Sequence, residues 1–323
     1  MNQIISLLKT SNRVLLTSHE NPDGDAIGAL IAMGLALESW GKVITLYNES
    51  PIPVVYRFLP SVNRIIRVIC EMEAYDTAVV LDCSDLERIG RAAEAVKRVP
   101  TLINIDHHVT NTRFGDVQLI DDKACATCEI VYRLILDMGI DFDQAIASAI
   151  YTGILTDTGS FRFSNTNRAA FSICEKMIQF GVDPYKVAQR VYGTYSLGRI
   201  KLLNMALDSI ELSDNGKLSM MTLTQGMLDE TGTRQEDIEG LINYARRIED
   251  VKVSALIREL SETSNDGNGF RPYHVSLRSN GSVDVSQIAN RFGGGGHSTA
   301  AGFSIETDLG DLKLKIINIA DTL

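Results

Sequence analysis

Apolar and polar positions follow two alternating rhythms along the first hundred residues, and the switches between them predict the architecture. Arg13–Ser18 is an apolar run of strand length, Ala26–Trp40 carries helical spacing, and Lys42–Tyr47 is again short and strand-like. Thr77–Asp82 (TAVVLD) stays apolar until its terminal acid, the pattern of a strand buried on both faces. Leu86–Arg98 has helical spacing, and Thr101–Asp106 (TLINID) is another strand closing on an acid. Short strands separated by helices of about ten to fifteen residues predict a parallel α/β sheet with right-handed crossovers.

From Ala124 to about Glu211 the spacing is helical, over Ala124–Met138, Asp143–Leu155, Arg168–Phe180 and Pro184–Tyr192, with Gly139 and Gly181 as stops. Beyond Leu212 the character changes. Asp214-Asn215-Gly216 signals a turn, Lys217–Leu223 a strand and Gln235–Ile248 a polar helix. Two further strands, Val251–Arg258 and Tyr273–Ser279, flank the Ser261–Gly269 loop. A short helix over Val285–Phe292, a four-glycine run and a final helix over Leu309–Leu323 complete the pattern. The expected fold class is α/β: an N-terminal parallel-sheet domain with extra helices (residues 1–195), a helical linker (196–213) and a smaller α/β domain (214–323).

Composition narrows the function classes. Of 323 residues, 45% are hydrophobic and 22% charged, an ordinary globular balance. Ala26–Leu37, the longest apolar stretch, is too short to span a bilayer and holds two glycines. The first twenty residues lack the apolar core and cleavage site of a secretory signal. Five cysteines, an odd number without framework spacing, fit a reducing cytoplasm. The formal charge of −10 opposes coating of long nucleic acid, which needs a basic stripe, and docking on an anionic membrane. An acidic chain that handles phosphates needs local positive charge, such as bound metal.

The ends of the predicted strands carry the candidate chemistry, because ligands of open α/β sheets bind outside the carboxyl ends of the strands. The first strand exits into His19-Glu20-Asn21-Pro22-Asp23-Gly24-Asp25, so His19, Asp23 and Asp25 can converge from one turn. TAVVLD ends at Asp82, TLINID runs into Asp106-His107-His108, and the helix AIASAIYTGILTD ends at Asp157. Taken singly, each has a plain structural alternative, such as a capped turn or a helix N-cap. Taken together, the clustered carboxylates would repel one another unless divalent metal were present. Mixed His and carboxylate ligation without Cys suits manganese, with magnesium, cobalt or iron as alternatives, and Asp82 on a central strand is the natural bridge between two ions.

A second group lies near the C-terminus. Gly293-Gly294-Gly295-Gly296-His297 could let backbone N–H groups approach a phosphate; a helix stop or hairpin is the competing reading. Arg278, beside Ser279 at a strand end, can fork onto phosphate, as can Arg258 unless it pairs with Glu259 or Glu262. Cys125-Ala-Thr-Cys128 lacks a second pair and is read as two small residues on a buried helix face, and His274 as structural.

These motifs resemble the DHH phosphoesterase superfamily, named for the triplet that stands here as Asp106-His107-His108. His19-x-Asn-Pro-Asp23-x-Asp25, Asp82, the triplet and Asp157 match in order, and GGGGH with Ser-Leu-Arg-Ser resembles the associated C-terminal substrate domain. Asp106-His-His-Val-Thr-Asn111 and Asp157-Thr-Gly-Ser-Phe-Arg162-Phe are similar to the bacterial nano-RNases that also act as pAp phosphatases. The resemblance implies a manganese-dependent hydrolase of very short RNA, about two to five nucleotides, and of the 3′-phosphate of pAp, by two-metal hydroxide attack on phosphorus. It implies His19, Asp23 and Asp82 on one ion, and Asp25, Asp82, His107 and Asp157 on the other. His108 would face the phosphate and Asp106 would orient the imidazoles. Arg278, Ser279, Gly294, Gly295, Gly296 and His297 would hold the terminal nucleotide, with Asn111, Arg113 and Arg258 as further contacts. The partners expected are short oligonucleotides, pAp or dinucleotides, without long nucleic acid or membrane; a homodimer is compatible. The rivals are a long-strand exonuclease, a cyclic-dinucleotide phosphodiesterase, an inorganic pyrophosphatase or polyphosphatase and, outside enzymes, a silent nucleotide sensor.

Overall fold

A computed structural model of the chain describes residues 1–193, 195–260 and 270–323. The chain divides into two compact units, Met1–Thr194 and Tyr195–Leu323. The Ser261–Gly269 loop of the sequence reading lies outside the described residues.

The first unit is built on six parallel strands: β1 (Arg13–Thr17), β2 (Val43–Tyr47), β3 (Ile65–Ile66), β4 (Thr77–Leu81), β5 (Thr101–Asp106) and β6 (Val117–Ile120). Their order is β3-β2-β1-β4-β5-β6, so the winding direction reverses between β1 and β4. At such a switch point the loops leaving the two central strands diverge and open a crevice at their carboxyl ends. His19 and Asp82 follow β1 and β4 there, and Asp106 closes the neighbouring β5.

Among the described residues, seven helices surround this sheet: α1 (Asn2–Thr10), α2 (Gly24–Ser39), α3 (Ala93–Val96), α4 (Thr127–Asp137), α5 (Gln144–Asp157), α6 (Arg168–Gln179) and α7 (Pro184–Tyr192). Leu16, Val79, Ile103 and Ile105 bury one face of the sheet in a core shared with α2, α4 and α5. Leu15, Ala78, Val80 and Leu102 bury the other against Leu86, Ile89, Ala93 and Val96. Asp23 starts α2 by accepting the N–H groups of Asp25 and Ala26, and α2 is buried on nearly all sides, which explains its unbroken hydrophobicity. Glycines let α2 and α5 approach closely: a Cβ on Gly28 would lie 2.5 Å from the Ala149 carbonyl oxygen, and one on Gly153 2.9 Å from Asp25 Oδ1. That approach sets the first turn of α2, with Asp25, against the last turn of α5, with Asp157.

The second unit holds a mixed sheet, ordered β11-β12-β10-β9-β8-β7. Its strands are β7 (Glu211–Leu212), β8 (Leu218–Leu223), β9 (Val253–Glu259), β10 (Arg271–Ser279), β11 (Gly295–His297) and β12 (Ala300–Thr307). Only the β8–β9 pair among the described pairings of this sheet is parallel. Helices α8 (Leu197–Asp208), α9 (Gln225–Thr231) and α10 (Ile242–Arg246) pack against Met221, Leu223 and Leu256. Helices α11 (Val285–Asn290) and α12 (Leu309–Ile317) cover Val253, Ala255, Val275 and Leu277 on the other face. The helix read as a linker, α8, buries Leu202 and Ala206 completely in this unit's core.

Two expected helices are broken. Leu86–Arg98 becomes a 3₁₀ turn (Leu86–Ile89) and α3, parted at Gly90, whose φ of 87° favours glycine. Gln235–Ile248 becomes a 3₁₀ turn (Gln235–Ile238) and α10. Helices α1 and α9 and strands β3, β6, β7, β11 and β12 had no counterpart in the sequence pattern. No helix among the described residues is long and apolar enough to cross a membrane.

Candidate active site

The first-unit candidates converge. His19, Asp23 and Asp82 form one group, Asp25, His107 and Asp157 a second, and Asp82, His107 and His108 a third, each with ligand atoms within 4.8 Å of one another. Asp82 joins them. Its Oδ2 lies 3.6 Å from His19 Nε2, while its Oδ1 lies 3.7 Å from His107 Nε2. His107 Nε2 is also 3.6 Å from Asp157 Oδ2. One carboxylate therefore turns its two oxygens toward two separate His/Asp groups.

The surrounding backbone fixes these directions. Asp82 sits at φ 55°, a left-handed conformation that aims its side chain away from the line of β4. Five of the seven described non-glycine residues with positive φ flank the motifs: Asn21, Asp82, Arg113, Ser160 and Phe161. Such strain gathers where a site overrides local preference. Ring tautomers follow from the acceptors. His19 Nδ1–H donates to the Glu20 carbonyl at 2.7 Å and His107 Nδ1–H to the Ala124 carbonyl at 3.4 Å, which turns both Nε2 atoms inward. His108 Nδ1 is paired with the buried Asp106 Oδ1 at 2.7 Å, and Asp106 Oδ2 accepts from Asn111 Nδ2 at 2.7 Å.

Electrostatics show what the donors lack. Burial opposes charge on His19, yet the hydrogen bond to Asp82 and the charges of Asp23 and Asp82 lift it from 6.5 to about 9. His107 is likewise lifted to about 9 against burial, by Asp157, Asp82, Asp25 and Asp106. Burial, with Asp82 and Asp23 nearby, pushes Asp157 up to about 7 although His107 pulls the other way. Burial and the charges of Asp82 and Asp157 drive Asp25 well above the carboxylate range. Asp82 moves in the opposite direction: burial is outweighed by the imidazoles of His19, His108 and His107, which hold it below that range. Without another cation, the cluster takes up protons to balance its acids. A divalent ion would replace them, so the oxygen and imidazole donors fit this kind of metal.

A pH prediction follows. The two imidazoles, raised from 6.5 to about 9, stabilise the metal-free fold fully below 6.5, and that contribution is lost as pH rises through 9. Thermal unfolding of metal-free protein should therefore give a lower midpoint at pH 9 than at 6.5, and divalent-metal affinity should rise over the same interval as fewer protons need displacing. Affinity that is flat or falls across this range would contradict the assignment of these imidazoles.

The remaining candidates separate. Asn111 spends its amide on Asp106, Asn104 and the Cys83 carbonyl, while Arg113 is exposed on the same loop. In the second unit, Arg258 stands opposite His274 between β9 and β10, and Arg278 opposite Ala300, which also faces His297 on β11. Arg258, His274, Arg278 and His297 thus share one face of the sheet. Glu259 pairs with Arg271, and Arg258 Nε is buried without a hydrogen-bond partner. Ser279 has the opposite parity, and its hydroxyl oxygen accepts the N–H groups of Gly281 and Val283. Gly295, Gly296 and His297 form an edge strand, and a Cβ on Gly294 or Gly296 would meet β12 atoms at 2.1 or 2.5 Å. Close packing on β12 is thus sufficient reason for two of the four glycines. Cys125 and Cys128 are both buried, but only Cys128 lies on a helix, since α4 starts at Thr127 and Cys125 precedes it.

Sequence reasoning passed over three groups. Thr127 donates its hydroxyl to Asp82 Oδ1 at 2.9 Å. Asn165 donates to Asp157 Oδ2 at 3.0 Å and to the Cys125 carbonyl at 2.8 Å. Arg88, exposed and hydrogen-bonded to Ser84 at 3.2 Å, acts electrostatically on His19. None carries a spacing signal.

The parallel sheet with its strand-end His/Asp cluster, followed by a mixed sheet with a glycine edge, defines a class. The model of the DHH family, N-terminal domain, matches residues 13–154, and that of the DHHA1 domain matches residues 217–321. The chain belongs to the DHH family and is a metal-dependent phosphoesterase. It is 31% identical over 308 residues to the bifunctional oligoribonuclease and PAP phosphatase NrnA of Thermus thermophilus, covering 95% of this chain and 88% of the relative. It is 27% identical to the protein of the same name from Bacillus subtilis, covering 94% and 92%. Among solved structures, an exopolyphosphatase-related protein from Bacteroides fragilis superposes with a TM-score of 0.90 at 26% identity, covering 99% of this chain and 94% of that one.

Proposed function

We infer that the chain hydrolyses very short RNA oligonucleotides to mononucleotides and removes the 3′-phosphate of pAp, in the cytoplasm and with manganese. The observation that carries the reading is Asp82, whose two oxygens face two separate ligand groups. His19, Asp23 and Asp82 would hold one ion, and Asp25, Asp82, His107 and Asp157 the other. Two such ions would supply Lewis acidity that activates water near neutral pH and offsets phosphate charge.

The chain's own groups do the rest. Asp106 fixes the ring of His108 through Nδ1, and Asn111 holds Asp106 in turn, so the opposite ring edge is oriented for a phosphate oxygen. Burial works against protonation of His108, but the Asp106 hydrogen bond and the charge of Asp82 raise its pKa, favouring a cationic donor as negative charge builds on the phosphoryl group. Arg258, Arg278 and His297, with the backbone of Gly294–Gly296, are assigned to the terminal nucleotide. The buried Arg258 Nε, which has no hydrogen-bond partner, supports that assignment. The names of the two NrnA relatives support both substrates.

The test is one panel in manganese: dinucleotides, a long RNA strand, pAp, cyclic dinucleotides and pyrophosphate. Mononucleotide release from dinucleotides and phosphate release from pAp are expected, with the long strand slow. Preferred cleavage of cyclic dinucleotides or pyrophosphate, or intact dinucleotides and pAp, would overturn the substrate assignment.

A further inference from the structure

The first two residues of α4 grip both acids on one side of the bridge. Thr127 N–H donates to Asp25 Oδ2 at 2.6 Å and Cys128 N–H to Asp25 Oδ1 at 2.8 Å. The Thr127 hydroxyl reaches past its own helix to Asp82 Oδ1, the oxygen that faces His107. Asp82 Oδ2, on the His19 side, lies outside this grip. Thr127 is fully buried and is not the helix cap, since Ala126 holds that position. Its hydroxyl therefore serves neither solvent nor the start of α4. A carboxylate rotates broadly about its last torsion. A buried donor at one oxygen, with the left-handed backbone at Asp82, stops that rotation and leaves the second lone pair of Oδ1 aimed along a fixed direction.

We propose that Thr127 is a positioning residue for one of the two ion positions: its hydroxyl sets the Asp82 carboxylate at Oδ1, so it governs affinity chiefly at the Asp25–His107–Asp157 position and affects the His19–Asp23 position less, where Asp82 Oδ2 keeps its contact with His19. The inference rests on the two-ion reading above. Partners of this kind change metal affinity about 10- to 100-fold. Because Oδ1 and Oδ2 are held differently, the two positions differ in strength even though they share a ligand.

Calorimetric titration with manganese of the full chain and of Thr127→Val, Thr127→Ala and Thr127→Ser tests this, with thermal unfolding of each metal-free protein alongside. Val keeps the shape and removes the donor, Ala removes it without adding bulk, and Ser keeps it. The wild type should bind two ions. Val and Ala should weaken one class about 10- to 100-fold and the other clearly less, while Ser stays close to wild type. Two unchanged classes in both donor-less variants would overturn the role of Thr127 alone, as would equal weakening of both classes. A wild type that binds one ion would overturn the two-ion reading, and this inference with it.

Discussion

Replacing Asp82 by Asn should lower turnover of dinucleotides and pAp by on the order of 10³-fold or more, a larger loss than removal of one preorganised donor usually brings. Asn is the informative replacement because it keeps the size of the side chain and tolerates the left-handed φ of 55°. The fold should therefore survive while the bridging charge is lost. His19, His107 and His108 all draw their raised proton affinity partly from Asp82, so the variant should also hold them less strongly protonated. Steady-state rates, metal stoichiometry and metal-free melting of the one variant separate these effects. A variant that retained a tenth of wild-type turnover and bound two ions would remove Asp82 from the centre of the mechanism.

Metal loading should raise the thermal midpoint of the first unit sharply. Each ion at about a hundred times its dissociation constant adds about 2.7 kcal/mol to a fold that binds it only when native, so two add about 5 kcal/mol. For a unit of this size, at about 2–4 °C per kcal/mol, the shift is about 10–20 °C. The gain is expected to be large because the metal-free cluster is costly: Asp25 and Asp157 are driven toward their neutral forms by burial and by other acids. Scanning calorimetry of chelator-stripped and manganese-loaded protein measures it. A shift of less than about 2 °C in excess metal would show that the cluster balances its charge with protons alone.

Much of this centre was legible before any coordinates. Thr77–Leu81 and Thr101–Asp106 formed strands as their apolar runs required, and the acids that close those runs fell where ligands of an open sheet bind. The pattern failed where tertiary contacts overrode local spacing. Leu86–Arg98 has helical periodicity but turns at Gly90, where a Cβ would collide with the side chain of Glu49, a partner far earlier in the chain. Ala300–Thr307 went unread because its small residues and glycine hide a two-residue period that only pairing with Arg271–Ser279 makes sense of. The hold of Thr127 on Asp25 spans 102 residues and uses a backbone N–H, which no side-chain motif records. His274, read as structural, has its Nδ1 3.1 Å from Ser304 Oγ on the neighbouring strand.

The left-handed turn at Asp82 bears on how this enzyme could change over generations. At that backbone conformation Gly, Asn and Asp are at ease, whereas most other residues incur roughly 1–2 kcal/mol. Of the three, Asp alone carries a negative charge, and lengthening it to Glu would add both strain and reach. A drifting sequence therefore has no gradual route away from this residue. Exposed groups away from such a turn can be exchanged step by step, while the centre is locked by the shape of its own main chain.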